Sequence, residues 1–76
     1  MSLIDEVRAS QSLPDPRVAR LIRVSAGVSQ ERLARELGVH RMTLQRWESG
    51  QRRPRGAHLV QYAQLLHGLR AEVAAA

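Results

Sequence analysis

The stretch SQERLARELGVHRMTLQRWESG, residues 29–50, reads as a helix, a tight turn and a second helix. Leu33, Ala34 and Leu37 recur at three- and four-residue spacing and share one helix face. Ser29 is placed to cap that helix, and Glu31 lies in its first turn, where the helix dipole favours an acid. Gly38 follows Leu37 directly and can take the left-handed conformation that ends a helix. Val39 returns to the core. Leu44 and Trp47 then form an inward pair, and Gly50 closes the second helix.

Between those inward residues the second helix shows Arg41, Met42, Gln45 and Arg46 on one outward face. Most polar helix faces are simply solvated. This one also suits a major groove. Arg can fork onto guanine, Gln can pair with adenine, and Met can touch a thymine methyl. The helix, glycine turn, helix geometry favours DNA over plain solvation.

Charge points the same way. The formal net charge is +5, and all 12 Lys/Arg positions are Arg. A G/C-rich genome is explanation enough for the lack of Lys, so the distribution of charge says more. Between Arg41 and Arg55 stand Arg41, Arg46, Arg52, Arg53 and Arg55 against one acid, Glu48. A cationic cluster on the second helix and the loop after it is an electrostatic footprint for nucleic acid.

Other classes find little support. Seventy-six residues make one domain with one small core and no room for a separate sensor domain. There is no Cys, hence no disulfide framework and no thiolate metal site. His58 and His67 lack metal-binding spacing and are expected to be exposed. No metal and no cofactor is expected. No carboxylate pair in an apolar setting, Gly-rich phosphate loop or His cluster is present, so an enzyme is the weakest reading. No apolar run reaches membrane-spanning length, and the acids in MSLIDEVR argue against a secretory signal. A cytoplasmic protein without membrane contact is the expectation.

VSQERLARELGV followed by TLQRWESGQRRP resembles the Cro/C1-type (XRE) helix-turn-helix family of phage repressors and bacterial regulators. The resemblance rests on Gly27, Val28, Ser29, Gln30, Leu33, Ala34, Leu37, Gly38, Val39, Glu48, Gly50 and Pro54, in order and at family spacing. It runs from about Val18 to Leu66. It implies an all-α, compact bundle of four to five helices of the lambda-repressor-like type. The second and third helices of the DNA-binding domain form the helix-turn-helix.

The resemblance also assigns roles. Arg41, Met42 and Arg46 fall where base-reading residues sit, with Gln45 beside them. Ser29 and Gln30, at the start of the helix that crosses the DNA backbone, are expected to hold a phosphate. Thr43, Arg52 and Arg53 are further phosphate candidates. The family usually has Ser or Thr where His40 stands. That departure predicts a weaker N-cap, with His40 still able to donate to a phosphate, better when protonated. An Arg at the place of Arg23 tends in the family to pair with the Glu at the place of Glu48. As the lone acid of a basic segment, Glu48 is expected to find an Arg in any case.

Around this centre the chain divides into an N-terminal strap or short helix (1–14), a DNA-binding domain (15–67) and a C-terminal helical tail (68–76). Ser2 and Asp5 resemble a capping box over a helix to Ser10, with Leu3, Ile4 and Val7 as its apolar face. A frayed end and a strap packed on the domain or on a partner subunit are equally open. Asp15-Pro16 reads as an N-cap and first helical residue, opening a helix over Arg17 to Ala26 with Ala19, Ile22 and Ala26 inward and Val18 beside them. From Gly56 to His67 the inward stripe is Leu59, Val60, Ala63 and Leu66, with Tyr62 at its edge. Gly68 breaks or weakens that helix, and Leu69 and Val73 offer a further apolar face.

The function expected is sequence-specific regulation of transcription, as a repressor, by a homodimer on a near-palindromic site in double-stranded DNA. The alternative is an antitoxin or accessory module of the same fold, binding a protein partner through its N- or C-terminal segment.

Overall fold

The Ser2 hydroxyl accepts from the Asp5 amide at 3.2 Å, and the Asp5 carboxylate accepts from the Ser2 amide at 3.3 Å. This reciprocal capping box starts α1, Leu3–Ser12. The Ser2 amide, followed by its hydroxyl, holds the Asp5 carboxyl below its ordinary range. Asp15 opens α2, Pro16–Ser25, by accepting from the Arg17 amide at 2.8 Å, with Pro16 at the first helical position. Ser29 opens α3, Gln30–Leu37, by accepting from the Arg32 amide at 3.0 Å. Then come α4, Arg41–Ser49, and α5, Gly56–Ala75. The computed structural model describes residues 2–76. Met1, in the expected 1–14 segment, lies outside them. The described residues are all-α, with five helices and no strand. With the N-terminal helix counted as α1, the helix-turn-helix is α3–α4.

Gly38 makes the turn between them. Its φ of +70° is left-handed, and beyond its chain neighbours no atom lies within 4 Å of where a Cβ would stand. Glycine is therefore favoured by backbone conformation, not by crowding. The Val39 amide returns to the Ala34 carbonyl at 3.0 Å, which closes the end of α3 and sends the chain into α4.

The main core joins Ala19 and Ile22 of α2, Leu33, Ala34 and Leu37 of α3, Leu44 and Trp47 of α4, and Tyr62 and Leu66 of α5. Removing apolar side chains from water is the chief favourable contribution to such a small fold. A second cluster, Ala9, Leu59 and Ala63, seats α1 on α5.

Several expectations need correction. The helix at the N-terminus runs to Ser12, and Leu3, Ile4 and Val7 are its exposed side; Ala9 is the residue that packs. A small side chain lets two helices approach where a Leu or Ile would hold them apart. Tyr62 lies in the core, only 2% exposed, rather than at its edge, while Val60 is half-buried. On α2, Ala26 is half-buried as the C-cap, and Val18 is exposed. Helix α5 passes through Gly68 unbroken to Ala75. A helical glycine costs only about 1 kcal/mol relative to alanine, too little to end a long packed helix.

Candidate nucleic-acid interface

The site is built on a buried charge pair. Arg23 of α2 donates through Nε to Glu48 Oε2 at 2.6 Å and through Nη2 to Oε1 at 3.0 Å. Its Nη1 donates to the Val28 carbonyl at 2.8 Å. Both side chains are nearly covered. Gln30 Nε2 donates to the same Glu48 Oε1 at 3.0 Å, and Arg41 Nη1 donates to Gln30 Oε1 at 3.4 Å. One carboxylate near the end of α4 thus gathers α2, the loop before α3 and the start of α3. The bidentate geometry fixes direction as well as distance. A buried pair of this kind specifies an arrangement more than it adds net stability.

Held in this way, α4 turns Leu44, Trp47 and Glu48 inward. Arg41, Gln45 and Arg46 are exposed, and Met42 is 39% exposed. Thr43 is half-buried on the flank of α4. Ser29 is exposed at the start of α3, its hydroxyl oxygen engaged as the cap. Gln30 is half-buried and turned toward Glu48, which leaves it one amide hydrogen for a phosphate.

His40 corrects an expectation. The helix end is capped: His40 Nδ1 accepts from the Met42 amide at 3.2 Å. A neutral ring accepting at Nδ1 carries its hydrogen at Nε2, and the side chain is exposed. His40 can therefore cap and donate outward at once.

Two basic concavities flank α4. One, of about 430 Å³, is lined by Thr43, Arg46, Arg52, Arg53, Arg55 and His58 among others. The other, of about 440 Å³, gathers Arg20, Arg23, Ser29, Gln30, Glu31 and Arg41. Arg46 and Arg41 each link the outward face of α4 to one of them. Arg52 and Arg53 are exposed, and Pro54 between them and α5 is buried, which anchors the loop.

Two arginines and a histidine at these hollows are not singled out by sequence reasoning. Arg20 lies one helical turn before Arg23, a spacing that could mark it. Arg55 enters the sequence reading only through local charge. His58 is exposed, as expected, and its ring also lies 6.2 Å from that of Trp47.

Behind the interface, the Tyr62 hydroxyl is buried without a hydrogen-bond partner. Its ring packs 5.1 Å from that of Trp47. Burial, and then the Glu48 carboxylate, push the phenol above its ordinary range. Among the described residues no group of three or more His, Asp or Glu could hold a metal ion. Among the described residues no helix is long and apolar enough to cross a membrane.

The family model described as helix-turn-helix, of the Cro/C1 type, matches residues 20–72. That span takes in α3, α4, the basic loop and most of α5. No curated protein and no solved structure matches the chain at a significant level. With the family match over more than two thirds of its length, and α3–α4 folded as the motif requires, the chain belongs to the Cro/C1-type helix-turn-helix family of DNA-binding proteins.

Proposed function

We propose that this protein is a sequence-specific transcriptional regulator that represses by occupying an operator. The observation that carries the reading is the outward face of α4, Arg41, Met42, Gln45 and Arg46, set between two cationic hollows. In this reading the four side chains meet base edges in the major groove. Ser29, Gln30, His40 and Thr43 hold phosphates on either side, with Arg52 and Arg53 reaching the backbone across the groove. Phosphate contacts supply much of the affinity and make it salt-dependent. Two copies on a near-palindromic site place their α4 helices in successive major grooves, about one helical turn apart.

The test is a titration of the DNA beside the protein's own gene against a scrambled duplex, over a range of salt, with sedimentation of the complex. Tight binding that prefers the native duplex, with two copies per site, supports the operator-binding dimer. Equal weak binding to both duplexes removes it.

The exposed apolar residues of α1 favour a second reading. Leu3 is 71% and Ile4 57% exposed, with Val7 beside them. An antitoxin or accessory module would cover that face with a partner protein, leaving DNA binding secondary. A partner chain that co-purifies in fixed ratio, together with unselective DNA binding, distinguishes this case.

A further inference from the structure

A groove of about 370 Å³ runs between α1 and α5, and none of its lining residues belongs to the candidate DNA interface. Its floor is apolar: the half-buried Val60, with the edges of Ala9, Ile22 and Ala63. Arg8 of α1 and Arg70 of α5 stand along it. Neither arginine has a carboxylate within ion-pair distance: the pairs among the described residues are Arg23–Glu48 and Arg32–Glu36. Asp5 also lines the groove and keeps its charge near Arg8, but its carboxylate is turned to the Ser2 amide and makes no ion pair with either arginine. His67 and Gln64 add donors on the α5 side.

We infer that this groove is a binding site for a small organic acid, with the carboxylate between Arg8 and Arg70 and an apolar body on the floor of Val60, Ala9 and Ala63. Three features select that class. The volume lies within the range of small-molecule sites, about 300–1,000 Å³. The floor offers dispersion contacts and the release of water from apolar surface, which an inorganic anion would not use. The two guanidiniums present fork-shaped donors that match a carboxylate, which a neutral or cationic ligand would leave unused. A ligand seated there touches both helices and ties α1 to α5. The site is independent of the DNA reading and stands or falls without it.

Octanoate is a suitable probe, compared with octan-1-ol and octylamine in an amide NMR titration of the full chain. The expected result is saturable shifts at the Ala9 and Ala63 amides with octanoate, and much weaker binding of the alcohol and the amine. Arg8→Ala combined with Arg70→Ala should keep the fold, since both side chains are exposed and neither makes a hydrogen bond within the chain; circular dichroism checks this. Each single variant should bind octanoate about tenfold more weakly, one charge-assisted contact's worth, and the double variant more weakly still. Arg70→Lys should recover part of the loss. Absence of saturable shifts overturns the inference, as does equal binding of octanoate and octan-1-ol. Self-association of the free protein that disappears in the double variant would also overturn it, because a second copy would then be the occupant.

Discussion

Arg23 grips both carboxylate oxygens of Glu48, at 2.6 and 3.0 Å, across 25 residues of sequence. This contact joins the first helix of the helix-turn-helix domain to the far end of α4. It sets the angle at which α4 leaves the body of the protein.

Glu48→Ala should therefore cost far more than a surface substitution. It leaves a buried guanidinium unpaired and releases Gln30, a change of the kind that destabilises by about 3–5 kcal/mol. A thermal melt followed by circular dichroism should show a large fall in the midpoint. An unchanged melt would mean that the pair does not hold α4.

His40→Ala should lower stability by about 0.5–2 kcal/mol, the ordinary cost of losing an N-cap. His40→Asn, which keeps a side-chain acceptor for the Met42 amide, should restore most of it. Denaturant unfolding of the three proteins decides the matter. Equal losses in both variants would show that the cap bond is not what His40 contributes.

Arg46 and Arg53 should fail differently. Arg46→Ala is expected to cost about 1–3 kcal/mol on a selected duplex and to relax preference at one base position. Arg53→Ala is expected to weaken binding uniformly across sequences and to reduce the salt slope by about one. Binding measured over a panel of single-base variants at several salt concentrations separates them. If Arg46→Ala weakens every duplex equally, Arg46 touches phosphate alone.

Tyr62→Phe should be neutral or stabilising, because the hydroxyl it removes is buried without a partner. The raised phenol adds a dependence on pH. Above about pH 10 the unfolded chain releases this proton while the folded chain retains it, so the stability associated with the neutral phenol is present below pH 10 and lost as pH rises. The Phe variant should lack that part of the alkaline decline. A steeper decline in the variant would contradict it.

Much of this was legible from residue order. Gly38 directly after Leu37 marks a left-handed turn, and the 33, 34, 37 spacing marks the buried face of α3; both are local features that tertiary packing had no reason to override. Glu48 announced a partner by being the lone acid among arginines. The packing of α1 was not legible in the same way. Hydrophobicity points to Leu3, Ile4 and Val7, whereas the seat on α5 is made by Ala9, chosen for its size. The depth of Tyr62 was hidden because a phenol suits both a core edge and a core centre. Arg20 escaped notice because its place beside Ser29 and Arg41 depends on how α2 crosses α3, which no local pattern encodes.

The inward network ends at Arg41. Among the described residues, Met42, Gln45 and Arg46 make no side-chain hydrogen bond, and the residues that fix α4 lie on its opposite side. In the proposed reading the recognition surface is thereby separated from the scaffold: substitutions at 42, 45 and 46 would change which DNA sequence is preferred while leaving the fold almost untouched. One frame of this kind would then acquire new operators a residue at a time, without passing through an unfolded intermediate sequence.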